Sequence, residues 1–447
     1  MPDAAPLPNL MPRAARREAG RAARRCLPRR ALATLAGRAR DPVALLQAAD
    51  TARIPALLPL RYARMRRDPF AFLRGSAALM AADLAAGPNT GLVAQACGDC
   101  HLLNFGTYAS PEGTPLFDIN DFDETLPAPF EWDVKRLAAS VAVAARARGE
   151  RERAATAFAR QAAEAYRHHM LALAAMPLLD GWRDRIDLAG AVAAIDRKRL
   201  RLLEQRRLRA ALAASRSAYA NLVAKDGLRL PEHPPAIYRL GPEEATAHAA
   251  YAAYLDGLPE ERRALLARYR LRDIAFKAVG VGSVGTFCAI GLFATADGEP
   301  LLLQLKEAQG SVLAPYAGAS AYAHHGQRVV VGQRIMQAAT DILLNWTQGG
   351  PEGRHFYVRA LKDSRLAAIG AQIEDAALAF YAPLCGRTLA RAHARAGDAA
   401  AIAGYLGNGT GFEDAIAEFA LAYARLTEAD HAAFCAAIEV GRIEAAA

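Results

Sequence analysis

Residues 274–308 read IAFKAVGVGSVGTFCAIGLFATADGEPLLLQLKEA, and their reading decides the kind of fold this chain adopts. Gly280, Gly282 and Gly285 are spaced G-x-G-x-x-G. In a dinucleotide-binding fold a helix must follow such glycines. In a phosphate-covering hairpin a second strand follows instead, then a third strand that carries a lysine. Here Thr286–Ala294 has an extended texture, Asp297-Gly298 turns the chain, and Leu301–Lys306 alternates into a lysine. The hairpin reading is favoured. Its chemistry is backbone N–H groups, from Gly280, Gly282, Ser283 and Gly285, that approach phosphates where no side chain intervenes. Lys306 then adds a point charge for the same phosphates. The blander reading is a hairpin that merely needs glycine, with a surface lysine.

The next informative stretches lie far upstream. Residues 97–106 read CGDCHLLNFG and residues 117–124 read FDINDFDE. Phosphoryl transfer needs a carboxylate near the attacking hydroxyl, and an Asn and an Asp that hold Mg²⁺ between phosphate oxygens. Asp99 and Asn104 supply the first pair on one loop, and Asp121 the second metal ligand. Asp118 and Asp123 are rival or additional ligands, because the segment between Asn104 and Asp121 is long. Hard carboxylate and amide oxygens suit Mg²⁺, which keeps several waters. Cys97 and Cys100 form a C-x-x-C, but no second pair completes a zinc site, and a glycine follows too soon for a thioredoxin-like helix.

Around these motifs the chain reads as mostly helical, with a minor sheet. Residues 41–86 are helical with interruptions at Pro55, Pro59 and Pro69, and 91–97 are a short strand. Residues 107–124 form a hairpin through Pro111-Glu112-Gly113, and one long helix runs from Asp133 to about 175 with a charged middle at 146–153. Another spans about 187–224, and KDGLRLPEHPP (225–235) breaks the pattern. A helix is expected at 326–340, a strand at 356–361, and helices from about 367 to 441. The expected units are a basic N-terminal arm (1–50), a helical lobe with the acidic motifs (51–265), a β-rich nucleotide lobe (266–365) and C-terminal helices (366–447).

The chain has 447 residues, 53% of them hydrophobic, so a large core can form and global disorder is excluded. The net charge is +9. Residues 1–40 hold ten arginines against Asp3 and Glu18, which is +10 − 2 = +8 and leaves about +1 for the rest. The basicity therefore belongs to the arm, read as a solvated segment with one amphipathic helix and at most weak contact with nucleic acid or anionic lipid. No secretory signal is visible, and the uncharged run 278–296 suits a hairpin better than a membrane span. Six cysteines are too few for a disulfide scaffold, which fits a cytoplasmic protein.

GDCHLLN (98–104) resembles the G-D-x-H-x-x-N catalytic loop of aminoglycoside phosphotransferases and related kinase-like enzymes. NDFDETLPAPFEWDVKRLA (120–138) fits the segment that follows in that family, with Asp121 at the metal aspartate and Asp133 at the helix-start aspartate. CGRTLARAHARAGD (385–398) resembles the helix after the hinge, with His393 on its histidine. The chain also resembles a bacterial group, the domain of unknown function 2252 family, through PFAFLRG, FDINDFDE, GVGSVGT, GQRVVVGQR and LARAHAR. Two features depart from the kinase pattern. The glycine loop follows the catalytic loop by about 180 residues instead of preceding it, so the motif order implies a circular permutation. The helix at 326–340 offers Gln327, Gln333 and Gln337 where the family places a glutamate to orient the lysine.

The resemblance implies an α+β, mostly helical, kinase-like two-lobed fold, permuted so that a small antiparallel nucleotide lobe follows the catalytic part of the helical lobe. The function it implies is an ATP- and Mg²⁺-dependent phosphotransferase acting on a hydroxyl of a small-molecule acceptor, with Asp99 as base. Two other readings stand beside it. One is a non-catalytic nucleotide-binding regulator or scaffold. The other is a metal-dependent phosphoesterase built on Asp99 and His101, with His168-His169 and His324-His325 as the other available histidines. His101, Arg74, Asp133 and His393 are read as structural.

Overall fold

The structure is a computed structural model. It describes residues 11–37, 40–195, 198–213, 223, 229–235, 237–239, 241–278, 280–361 and 378–446. It is mixed α+β and mostly helical, with small antiparallel sheets.

The arginine-rich start holds the expected amphipathic helix, α1 (Arg13–Cys26), but this helix is docked on the body of the protein and not free in solvent. Its docking partner, described below, lies almost four hundred residues away. Arg13 donates to the carbonyl of Ala175 at 2.8 Å, and Arg16 pairs with Asp398 at 2.9 Å. Residues 1–10 lie outside the described residues. The prolines of the next segment then start helices. α2 (Leu58–Arg66) and α3 (Pro69–Gly75) each have proline in the first turn, where its missing N–H costs nothing, and α4 (Ala77–Ala86) follows.

β1 (Val93–Ala96) leads into the 97–106 loop. The expected hairpin is β2 (Phe105–Ala109) and β3 (Pro115–Ile119), and β4 (Leu126–Pro129) pairs back onto β1. The helix expected from Asp133 to 175 is two helices, α5 (Phe130–Ala147) and α6 (Glu152–Ala175). Gly149 takes φ 83° and reverses the chain between them. α5 is buried along its length from Phe130 to Ala145, which requires that its charged residues be satisfied inside the core. Of the helix expected at 187–224, the structure shows Leu188–Ala193 and Lys198–Ala213; most of 214–228 lies outside the described residues.

β5 (Ile237–Tyr238) opens a six-stranded antiparallel sheet, and α7 (Gly241–Asp256) covers one of its faces. The other strands are β6 (Arg270–Lys277), β7 (Cys288–Ala294), β8 (Pro300–Glu307), β9 (Asn345–Gly349) and β10 (Arg354–Ala360). Their order is β5-β6-β7-β8-β10-β9, and α8 (His325–Met336) lies between β8 and β9 in sequence. Tyr251 and Tyr254 of α7 donate to the carbonyls of Leu303 and Leu343 at 2.8 and 2.6 Å. A Cβ at Gly291 would come within 2.8 Å of the Tyr251 ring, which explains a glycine inside a strand. This packing places residues 241–266 with the sheet, so the unit begins well before the boundary expected at 266. Leu303 and Leu305 face α7, so by strand alternation Gln304 and Lys306 face the helical body.

The chain closes with α9 (Leu378–Ala396), α10 (Ala399–Leu406) and α11 (Gly411–Glu439). Residues 362–377, which include the start of the helical run expected from 367, lie outside the described residues. Small residues let these helices approach closely. A Cβ on Gly386 would collide with the Ala162 carbonyl of α6. A Cβ on Gly20 would collide with that of Ala401, and one on Gly404 with that of Arg17, so α1 and α10 cross nearly in backbone contact. No helix among the described residues is long and apolar enough to cross a membrane.

Candidate functional site

The 97–106 loop is held from below by α5. The Asp133 carboxylate accepts the N–H groups of Cys97 and Gly98 at 2.8 and 3.1 Å and meets His393 Nε2 at 3.2 Å. Tyr166 closes the set by contacting His393 Nδ1 at 2.9 Å. Gly98 has φ 85°, and a Cβ there would collide with the Glu124 carbonyl, so the loop and the acidic segment touch through a glycine. Cys97 and Cys100 lie with an Asp133 oxygen within 4.8 Å of one another. Burial pushes the Cys97 thiol well up and that of Cys100 to about 11, which favours the protonated form of both.

Asp99 projects from this platform. Its Oδ1 accepts from Arg136 Nε at 2.6 Å and from Arg136 Nη2, and Arg136 also donates to the Leu73 carbonyl at 2.9 Å. Oδ2 lies 3.6 Å from His101 Nε2. Burial raises the Asp99 pKa and Arg136 only partly offsets that. Burial, with Arg74 and Arg136 near, drives His101 well below its usual range, so that ring is neutral. Asn104 donates its amide N–H to the Asp99 carbonyl at 2.6 Å, which fixes the carboxamide and leaves its oxygen as the remaining acceptor.

The acidic segment meets the sheet at Lys306. Its Nζ lies 2.5 Å from Asp123 Oδ2 and 3.8 Å from Asp121 Oδ1, and Tyr357 donates to Asp123 Oδ1 at 2.6 Å. Tyr357 is the cross-strand partner of Lys306, and Lys306 and Arg359 lie 5.5 and 5.8 Å from its ring centroid. Burial acts to neutralise Lys306, but Asp121 and Asp123 outweigh it and hold the ammonium charged. Burial and the Asp123 charge raise Asp121, whereas Lys306 and Tyr357 overcome burial at Asp123 and lower it. Glu124 accepts from Val312 N at 2.7 Å, and burial pushes it up to about 7.

The glycine turn joins β6 to β7 and lies over Asp99. Gly280 and Gly285 take φ 60° and 92°, and a Cβ on Gly282 would sit 3.3 Å from the Arg74 carbonyl and 3.9 Å from Asp99 Oδ2. One cleft is therefore lined by Asp99, Asn104, Asp121 and Asp123 from one part of the chain and by Gly280, Gly282 and Ser283 from another. Lys306 reaches the same acids from behind. Gly285 shapes the turn without lining the cleft.

Asp118 is elsewhere. It is fully buried, pairs with Arg391, and accepts the Ala338 N–H at 2.9 Å, so its oxygens are occupied and it does not line the cleft. His101 of the phosphoesterase reading lies at the cleft, but the other histidines are engaged elsewhere: His169 pairs with Asp184 at 2.9 Å, and His324 stacks on His355 at 4.0 Å. Sequence reasoning missed Arg136, Tyr357 and Arg359. The last two had a signal, because polar residues alternate in FYVRA (356–360) as Gln304 and Lys306 do on the neighbouring strand. Arg136 had none, since its partner is fixed only by the approach of α5.

No curated protein and no solved structure matches the chain. Residues 53–437 match the family described as "Uncharacterized protein conserved in bacteria (DUF2252)", and since that match spans most of its length, the chain belongs to this family.

Proposed function

We propose that this chain is an ATP- and Mg²⁺-dependent phosphotransferase with a kinase-like, circularly permuted arrangement. The observation that carries the reading is the convergence of the 97–106 loop, the acidic segment and the glycine turn on one cleft. Glycine turn, second strand, third strand with an inward lysine, then a helix is the order of a kinase nucleotide lobe. Here that order runs through β6, β7, β8 and α8.

The donors fit Mg²⁺. Asn104 and Asp121 offer hard oxygens to the cleft, and the Asp121 carboxylate is 31% exposed. Mg²⁺ held there would supply positive charge to the phosphate oxygens. Asp123 is assigned to orienting Lys306, in place of the glutamate that α8 lacks. Asp99 Oδ2, with Oδ1 anchored by Arg136, accepts the proton of the acceptor hydroxyl as that oxygen bonds to the γ-phosphorus and ADP leaves. A raised Asp99 pKa makes it a better base than a free carboxylate. The grip of Arg136 on Asp99 favours one other reading, a nucleotide-binding regulator without catalysis. Calorimetric titration with ATP, with and without Mg²⁺, tests the shared premise: Mg²⁺-dependent binding supports it, and absence of binding refutes both.

A further inference from the structure

The carbonyls of the glycine turn are all occupied, chiefly from a segment that precedes the catalytic loop. Arg64 Nη1 donates to Gly280 O at 2.9 Å, and Arg61 Nη1 donates to Val281 O and Gly282 O at 2.6 and 3.0 Å. Arg53 Nη1 donates to Val284 O at 2.8 Å, and the Ile54 N–H to Gly285 O at 2.7 Å. Ser283 O takes the Thr286 N–H and hydroxyl at 3.3 and 2.9 Å. The arginines are themselves anchored. Asp50 accepts from Arg53 Nε at 2.6 Å and from Arg61 Nε at 3.2 Å, and Arg61 Nη2 donates to Gly75 O at 2.5 Å. The Arg61 side chain is 2% exposed.

The N–H groups have the opposite fate. Among the described residues, no hydrogen bond is donated by a backbone N–H from Gly280 to Gly285. A trans peptide points its N–H away from its C=O. Each of the guanidinium-bound carbonyls of 280, 281, 282 and 284 therefore has the N–H of the next residue, 281, 282, 283 or 285, on the opposite edge of its peptide. A carbonyl bonded to a cation also polarises its own N–H, and successive N–H groups facing one way make an anion-binding concavity. Asp50 offsets one of the three arginine charges, and the charge that is left adds to the attraction of the amides for an anion.

We propose that the segment 50–64 is part of the phosphate site, with Arg61, Arg64 and Arg53 as positioning residues that preset the glycine turn as a fixed cradle for a polyphosphate. The identification of that polyphosphate with a nucleotide rests on the phosphotransferase reading; the cradle itself does not. A preset cradle binds without first ordering a loop, which removes a cost that a mobile flap carries.

The test uses inorganic tripolyphosphate without Mg²⁺, titrated calorimetrically into the full chain. Arg64→Gln removes one donor at a half-buried position, and Arg64→Lys restores one. The wild type binds; Arg64→Gln binds about five- to tenfold more weakly, the worth of one polarised contact, with its melting temperature kept, and Arg64→Lys recovers most of the loss. Arg61→Lys cannot satisfy the four acceptors of Arg61 and recovers little. The proposal is overturned if the wild type ignores tripolyphosphate, or if Arg64→Gln and Arg61→Lys bind it as the wild type does. If the variants lose tripolyphosphate but the wild type does not turn over ATP, the cradle stands and the transferase reading falls. If ATP is turned over and the variants keep its KM, the reverse holds.

Discussion

The Lys306 ammonium lies 2.5 Å from an oxygen of Asp123, a residue 183 positions earlier in the chain. In kinases the phosphate-binding lysine, whose place Lys306 takes under the proposed function, is oriented by a helix glutamate. Here α8 is occupied otherwise: Gln333 donates to Gln337, Gln337 to the Ile119 carbonyl, and Arg328 to the carbonyls of Thr125 and Asp123. The acidic segment itself supplies the counter-ion, and Tyr357 fixes the other carboxylate oxygen.

Replacing Lys306 by Met leaves Asp121 and Asp123 facing each other without their cation. The expected cost is on the order of 2–3 kcal/mol, below that of a fully buried broken pair because both carboxylates are partly wet. Mg²⁺ replaces part of the lost charge, so thermal melts of the variant rise on adding Mg²⁺ more than those of the wild type. An equal response in both proteins would remove the acidic pair from the metal site.

Asp121→Asn and Asp118→Asn separate ligand from brace. Asp121→Asn abolishes Mg²⁺-dependent nucleotide binding and leaves the fold intact. Asp118→Asn leaves binding unchanged but destabilises by about 3 kcal/mol, because Arg391 loses its buried partner. Calorimetry and denaturant melts of both variants decide it; loss of Mg²⁺ dependence in Asp118→Asn alone would reverse the assignment.

The docking of α1 rests on Gly20. Gly20→Val forces two backbones apart, with an expected loss of about 2 kcal/mol. Limited trypsin digestion then cuts within 13–25 under conditions where the wild type resists. Resistance equal to wild type would show that this crossing is not what holds the helix.

Lys135 gives a pH dependence of known sign. Burial lowers its pKa from 10.5 to about 8, against a small opposing effect of Glu131. Between pH 8 and 10.5 the unfolded chain binds the proton and the native state does not, so this residue makes stability rise with pH across that window. Below pH 8 the buried ammonium costs stability. Lys135→Met is therefore more stable than wild type at pH 7, and the gap closes toward pH 10.5. A gap that stays constant from pH 7 to 10.5 would mean that Lys135 is not depressed.

What the sequence made legible is local. Strand alternation put Lys306 at the end of a third strand, glycine spacing located the turn, and the CGDCHLLN and FDINDFDE stretches located the acids, because each signal lies within a few residues. What it hid is pairing across distance. Asp118 looked like a metal ligand because its partner Arg391 lies 273 residues away. The arm looked solvated because Gly20 makes sense only beside Ala401. The break between α5 and α6 was a local signal misread: helix formers on both sides of Gly149 masked a residue whose left-handed φ turns the chain.

The central claim is that Asp99 handles the acceptor hydroxyl while the glycine turn and the acids hold Mg²⁺–ATP. Slow Mg²⁺-dependent ATP hydrolysis, with water in place of the acceptor, measures it directly in wild type and Asp99→Asn, a change that keeps an oxygen for Arg136. The account predicts hydrolysis by the wild type, Mg²⁺–ATP affinity within a few fold in the variant, and a turnover about 10²–10⁴ lower, the worth of a general base. A wild type that binds Mg²⁺–ATP without hydrolysing it, or an Asp99→Asn variant that hydrolyses it at the wild-type rate, would contradict the account.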